Sequence, residues 1–159
     1  MKVIDDFLST ELSDFLENYY LYDLPHWFGH RSTEDPKAKP VYHHPLQPDA
    51  LHNFIFYKIK KIVDKDLEML RAYINVQHEN MKGSRLFHKD DGTHTFIYMA
   101  SQTLEKGIGC LEFDDGEKID FVKNRLVCFD AQRMHKGNEP NTYMPRITLV
   151  FKTTVKYNE

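Results

Sequence analysis

Residues 109–155 read GCLEFDDGEKIDFVKNRLVCFDAQRMHKGNEPNTYMPRITLVFKTTV. Four short apolar segments stand out: 109–113 (GCLEF), 118–122 (KIDFV), 125–130 (RLVCFD) and 145–155 (PRITLVFKTTV). Turn residues separate them, with DDG at 114–116 and NEPN at 138–141. In the last segment Ile147, Leu149 and Phe151 alternate with Arg146, Thr148 and Val150, the period of a strand with two different faces. Working upstream, the same texture continues through 94–101 (HTFIYMAS), 84–88 (SRLFH) and 69–77 (MLRAYINVQ), with turns DDG at 90–92 and KG at 106–107. Short strands at this spacing predict a sandwich or jelly roll of seven or eight strands.

Upstream of residue 66 the pattern changes. Residues 2–8 can open on a short strand. Ser9 or Thr10 then offers an N-cap, and Leu12, Phe15, Leu16, Tyr19 and Tyr20 recur at helical spacing, which predicts a helix over about 10–22. Pro25, Pro36, Pro40, Pro45 and Pro48 mark 23–48 as a long loop, of the kind that serves as a lid or binding loop. Asp49 caps a second predicted helix over about 50–64, with Leu51, Phe54, Ile55, Ile59 and Ile62 as its buried stripe. The expected fold is therefore mostly β with flanking helices: a jelly-roll core over 67–155 backed by two N-terminal α-helices within 1–66, all in one domain spanning 1–159.

Composition narrows the function classes. Hydrophobic residues are 41% and charged residues 28%, a globular balance. The net charge of −3 argues against a general nucleic-acid or membrane-surface binder. Seven glycines include neither the dinucleotide nor the phosphate-loop fingerprint. Two cysteines, Cys110 and Cys128, exclude a disulfide framework and a cysteine zinc site, and suggest a reducing, cytoplasmic setting. The opening MKVIDDFLSTELSDFLENYY is too acidic for a signal peptide, and no apolar run reaches the roughly 20 residues of a membrane span.

Nine histidines direct attention to metal ligands. His88 and Asp90 stand two residues apart, on one face of a strand. His135 follows the segment 125–130, and Arg146 opens the next strand, with Thr148 on the same face. Two histidines and one carboxylate leave open metal positions, the facial triad of non-haem Fe(II) oxygenases. A buried arginine suits the far end of a dicarboxylate, because its planar fork matches carboxylate geometry. Asp91 is the rival carboxylate, but strand alternation turns it to the other face. His94 can line the pocket or simply pack beside it. His26, His30, His43 and His44 fall in the proline-rich loop and read as solvated or loop-packing side chains.

In this order, His88-x-Asp90, His135 and Arg146-x-Thr148 resemble the 2-oxoglutarate/Fe(II)-dependent oxygenases. The stretches 71–77 (RAYINVQ), 83–101, 123–140 and 145–152 resemble the prolyl 4-hydroxylase-like branch, in its short phage and bacterial form, and VIDDFLS fits that branch's start. The resemblance implies His88, Asp90 and His135 as iron ligands, and Arg146 with Thr148 as the anchor of the 5-carboxylate of 2-oxoglutarate. It implies Tyr98 as a second partner of that carboxylate and Tyr73 as a further cosubstrate contact. Fe(II), 2-oxoglutarate and O2 are the implied cofactors, with ascorbate as a stimulant. The implied activity is hydroxylation of an unactivated C–H bond in a peptidyl, prolyl-type substrate, with a small molecule also open. Where the family has Gly-Gly-Glu-Thr, this chain has Gly107-Ile108-Gly109-Cys110-Leu111-Glu112, a departure bordering the site. A nucleic-acid substrate is disfavoured: strand 146–152 carries Lys152 where that branch has a second arginine, and it lacks the asparagine. The reading from a different class is a non-catalytic, cupin-like jelly-roll binding protein, although the His-x-His of cupins is missing.

Overall fold

A computed structural model describes residues 1–159 except 32–33, 36, 39, 48, 64, 80, 82–85 and 157–159. Its described elements are β1 (Lys2–Ile4), α1 (Thr10–Asn18), β2 (Trp27–His30), β3 (Val41–Pro45), α2 (Ala50–Val63), β4 (Leu67–Gln77) and β5 (His94–Met99). They continue with β6 (Leu111–Phe113), β7 (Lys118–Ile119), β8 (Arg125–Asp130), β9 (His135–Gly137) and β10 (Arg146–Val155). The strands form a seven-stranded sheet, ordered β1-β8-β5-β10-β4-β3-β2, and a three-stranded sheet, ordered β7-β6-β9. Every pairing is antiparallel. This is the expected jelly roll with two helices, and no helix among the described residues is long and apolar enough to cross a membrane.

The middle of the large sheet is buried on both sides, and the alternation of β10 shows why. Ile147, Leu149 and Phe151 join one core with Leu16 and Tyr20 of the first helical segment and Ile55 and Ile59 of α2. Val150, one residue out of phase, joins a second core with Ile97, Val127 and Phe129 of the same sheet and Leu111 and Phe113 of the small one. The helices therefore cover one face, and the small sheet covers the other. Arg146, Thr148 and Lys152 share the parity of Val150 and point into the space between the sheets.

Local chemistry sets the flanking elements. Ser9 caps α1 by accepting from the Leu12 N–H at 3.4 Å, and Asp49 accepts from the His52 N–H at 2.8 Å at the start of α2. Asn124, at φ 64°, fastens the N-terminal segment: its amide accepts from Leu8 N at 2.9 Å and donates to Leu8 O at 2.8 Å.

Four expectations need correction. The first helix ends at Asn18 and passes into a π-helical turn over Tyr19–Asp23. On α2 the buried residues are His52, Ile55 and Ile59, whereas Phe54 is half exposed. The chain between 23 and 48 is not all loop: β2 and β3 pair with each other, and β3 adds to β4. Prolines hid them, because Pro40 and Pro45 flank or end β3, where a missing N–H is tolerated at a strand's margin. The expected strand 84–88 has residues 84–85 outside the described residues; among 86–88 only His88 pairs, through a single bridge to His135.

Candidate metal and cosubstrate site

The site begins with a backbone pair. His88 N donates to His135 O at 3.0 Å, and His135 N donates to His88 O at 2.9 Å, which sets the two side chains against each other. Their ring centroids are 4.6 Å apart. Each ring's Nδ1 lies 2.9 Å from a carbonyl of its own chain, Leu86 O for His88 and Arg133 O for His135. A carbonyl only accepts, so each Nδ1 carries a hydrogen, and each Nε2 is the ring atom turned toward the Asp90 carboxylate, the one a histidine here would give to a metal. Asp90 is drawn to the same point, its N–H donating to Ala131 O at 2.8 Å. Its Oδ1 lies 3.7 Å from His88 Nε2 and its Oδ2 3.5 Å from His135 Nε2. One ligand atom from each of the three residues fits within 4.8 Å of the others.

Asp90 is almost wholly buried, and burial alone would push its carboxyl pKa up. His135 and Lys152 reverse the effect and hold it well below the usual carboxylate range. Thr95 Oγ1 donates to Oδ2 at 2.7 Å. Oδ1 accepts no well-aligned hydrogen bond although it is buried, and its near neighbour is the Lys152 ammonium at 2.8 Å. A buried, ionised oxygen of this kind, beside two imidazole Nε2 atoms, is what a divalent cation completes. Two imidazoles and one carboxylate, without thiolate, suit Fe(II). Asp91 lies outside the triad: its carboxylate is over half exposed and pairs with Arg71 at 2.6 Å.

A cavity of about 290 Å³ opens on these ligands. Arg146 and Thr148 lie on its floor, on β10. Arg146 is buried, donating from Nε to Gly109 O at 2.7 Å and from Nη1 to Gln77 Oε1 at 2.8 Å, with its guanidinium 5.2 Å from the Phe121 ring centre. Gly137 makes room for it, since a Cβ there would come within 3.0 Å of Arg146 Nη2. The Gly109 carbonyl belongs to the stretch 107–112, so that stretch orients the arginine.

Tyr73 also lines the cavity, its ring centre 5.0 Å from that of His43. Tyr98 does not. It pairs in register with Leu149, on the helix-facing side of the sheet, and its hydroxyl meets Ser13 Oγ at 3.0 Å and donates to Asn124 Oδ1 at 3.2 Å. The expected cosubstrate role for Tyr98 is therefore corrected: its parity places it in the core, one residue out of phase with Ile97, which does line the cavity.

Sequence reasoning missed several wall residues. His30, Arg31 and His43 come from β2, the residue after it, and β3. His30 and His43 stack at 4.0 Å, and Asn75 Oδ1 lies 3.0 Å from His43 Nδ1. Lys152 is the most informative omission, because a position six residues beyond Arg146 on one strand must share its face.

No protein-family profile and no curated protein matches the sequence. Solved structures do. A viral collagen prolyl hydroxylase from Paramecium bursaria Chlorella virus-1 superposes with a TM-score of 0.72 at 16% identity, over 96% of this chain and 94% of that one. The chain has the prolyl hydroxylase fold. A Trichoplax adhaerens prolyl hydroxylase, solved with a hypoxia-inducible-factor oxygen-degradation-domain peptide, matches at 14% identity and a TM-score of 0.71, over 95% of this chain and 82% of that one. The non-heme alpha-ketoglutarate-dependent carbocyclase SnoK of nogalamycin biosynthesis matches at 11% and 0.70, over 95% and 78%.

Proposed function

We propose that the chain is an Fe(II)- and 2-oxoglutarate-dependent oxygenase, acting as one domain over 1–159, that hydroxylates an unactivated C–H bond in a peptidyl, prolyl-type substrate. One observation carries the reading: a His-Asp-His triad and a buried Arg-x-Thr pair open into the same cavity of a prolyl hydroxylase fold. Iron held by His88, Asp90 and His135 would supply the redox chemistry, coupling oxidation of 2-oxoglutarate to succinate and CO2 with insertion of one oxygen atom of O2 into the substrate C–H bond.

The protein's own part is binding and orientation. Backbone carbonyls fix both imidazole tautomers, and Thr95 steadies Asp90. Arg146 offers its fork to the far carboxylate of 2-oxoglutarate, held in aim by Gly109 O and Gln77 Oε1, with Thr148 beside it. Tyr73, Asn75 and His43 wall the space between anchor and metal ligands. No separate general acid or base is required. A peptide substrate is supported by the peptide complex of the Trichoplax enzyme and by β2, which presents Trp27 and Phe28, both over half exposed, next to His30 and Arg31 at the cavity. Two buried, unbridged cysteines support a cytoplasmic setting.

The test is anaerobic titration of the protein with Fe(II) and then 2-oxoglutarate, followed by succinate measurement on a panel of prolyl peptides, amino acids and small metabolites. Saturable, metal-dependent 2-oxoglutarate binding with peptide-stimulated succinate release is expected. Metal binding without 2-oxoglutarate binding would leave the cupin-like binding protein, and stimulation by small metabolites alone would replace the peptide.

A further inference from the structure

Lys152 stands at the opposite end of the cavity floor from Arg146. Its side chain is 8% exposed, and its ammonium lies 2.8 Å from Asp90 Oδ1 and 3.4 Å from Asp91 Oδ1. The Tyr73 ring centre is 5.7 Å away. Asp91 is shared with Arg71, at 2.6 Å. The group therefore balances as two cations, Lys152 and Arg71, against two carboxylates, Asp90 and Asp91.

A divalent metal on the triad changes that balance. Asp90 then shares its charge with the metal, and a second cation is placed close to the Lys152 ammonium. Asp91, more than half exposed, is left as the counter-charge for both Arg71 and Lys152. The uncompensated cation is the buried one. A buried charge short of counter-charge is strongly unfavourable, and an anion arriving in the cavity relieves it.

Resting on the oxygenase reading, we infer that Lys152 anchors a carboxylate delivered beside the metal triad, distinct from the far carboxylate that pairs with Arg146. Two sources carry the same chemistry: the near carboxylate of the cosubstrate, or a carboxylate of the substrate. In the second case the preferred substrate is acidic close to its reacting carbon. The neighbouring Arg71 and Arg31 on the cavity lining favour an anion at either position.

The experiment uses the full chain loaded with Mn(II). Calorimetry follows 2-oxoglutarate binding to it, and then acetate binding to the Mn(II)–2-oxoglutarate complex, with acetamide as the uncharged control. Lys152→Met keeps the length and removes the charge; Lys152→Arg keeps the charge. Lys152→Met should bind Mn(II) no more weakly than wild type, while one of the two carboxylate affinities falls at least about tenfold, the scale of a charged hydrogen bond. A fall in the 2-oxoglutarate titration assigns the cosubstrate; a fall in the acetate titration alone assigns the substrate. Lys152→Arg should retain most of the affinity. Should Lys152→Met fail to fold, Lys152→Gln makes the same comparison. Unchanged affinity for both carboxylates overturns the inference, whether or not Mn(II) binding changes. A wild-type protein that binds Mn(II) but not 2-oxoglutarate overturns the oxygenase reading and this inference together.

Discussion

The two faces of β10 are equally buried and chemically opposite. On one, Ile147, Leu149 and Phe151 pack against the helices. On the other, Arg146, Thr148 and Lys152 face the cavity, each at most 6% exposed over the whole residue. Burial thus does not distinguish core from site on this strand; the partners do. The apolar face is satisfied by packing. The polar face is satisfied by Gly109 O, Gln77 and Asp90, which hold charged groups ready for a ligand. Substitutions on one face should change stability, and those on the other should change binding.

The sharpest break of that contrast is at the triad. His135→Ala removes one of the three proposed metal ligands, so Fe(II) binding and turnover should vanish, as read by metal titration and succinate release. On the apolar face, Phe151→Ala should destabilise by about 3–5 kcal/mol in urea unfolding, since it deletes a wholly buried ring stacked on Phe56. A small loss there would mean that the helices are not held through this face.

Arg146→Ala should weaken 2-oxoglutarate binding by at least about tenfold while leaving Fe(II) affinity nearly intact. Arg146→Lys should recover part of the loss, because an ammonium keeps the charge and loses the fork. Gly137→Ala places a methyl group 3.0 Å from Arg146 Nη2, so it should weaken 2-oxoglutarate several-fold without touching the metal. Wild-type affinity in that variant would show that the guanidinium can be re-aimed freely. The smallest effect belongs to Tyr98→Phe. It should cost about 1 kcal/mol of stability through its lost hydrogen bonds and leave 2-oxoglutarate affinity unchanged. Reduced cosubstrate affinity would return Tyr98 to the site.

What was legible in the sequence follows from period two. His88-x-Asp90 and Arg146-x-Thr148 each fix a shared face without knowledge of the fold, and turn residues marked the strands from Leu67 to Val155. Tyr98 was misread because alternation shows that two faces exist, not which one meets the cavity; its register opposite Leu149 decides that. Lys152 was readable as a face-mate of Arg146, yet its role depends on Asp90, 62 residues earlier. His30 and His43 were unreadable for a different reason. Their contact needs the β2–β3 pairing, whose strands are short and interrupted by proline and glycine, and whose tie to β4 is purely long-range.

The reciprocal hydrogen bonds between His88 and His135 have an evolutionary consequence. Main-chain atoms that every non-proline residue carries set the spacing of the two imidazoles, and main-chain carbonyls fix their tautomers. A site framed in this way demands few particular side chains beyond the two histidines and Asp90. Mutational drift can then rewrite most of the barrel while the frame persists, which accords with a shared fold at 16% identity.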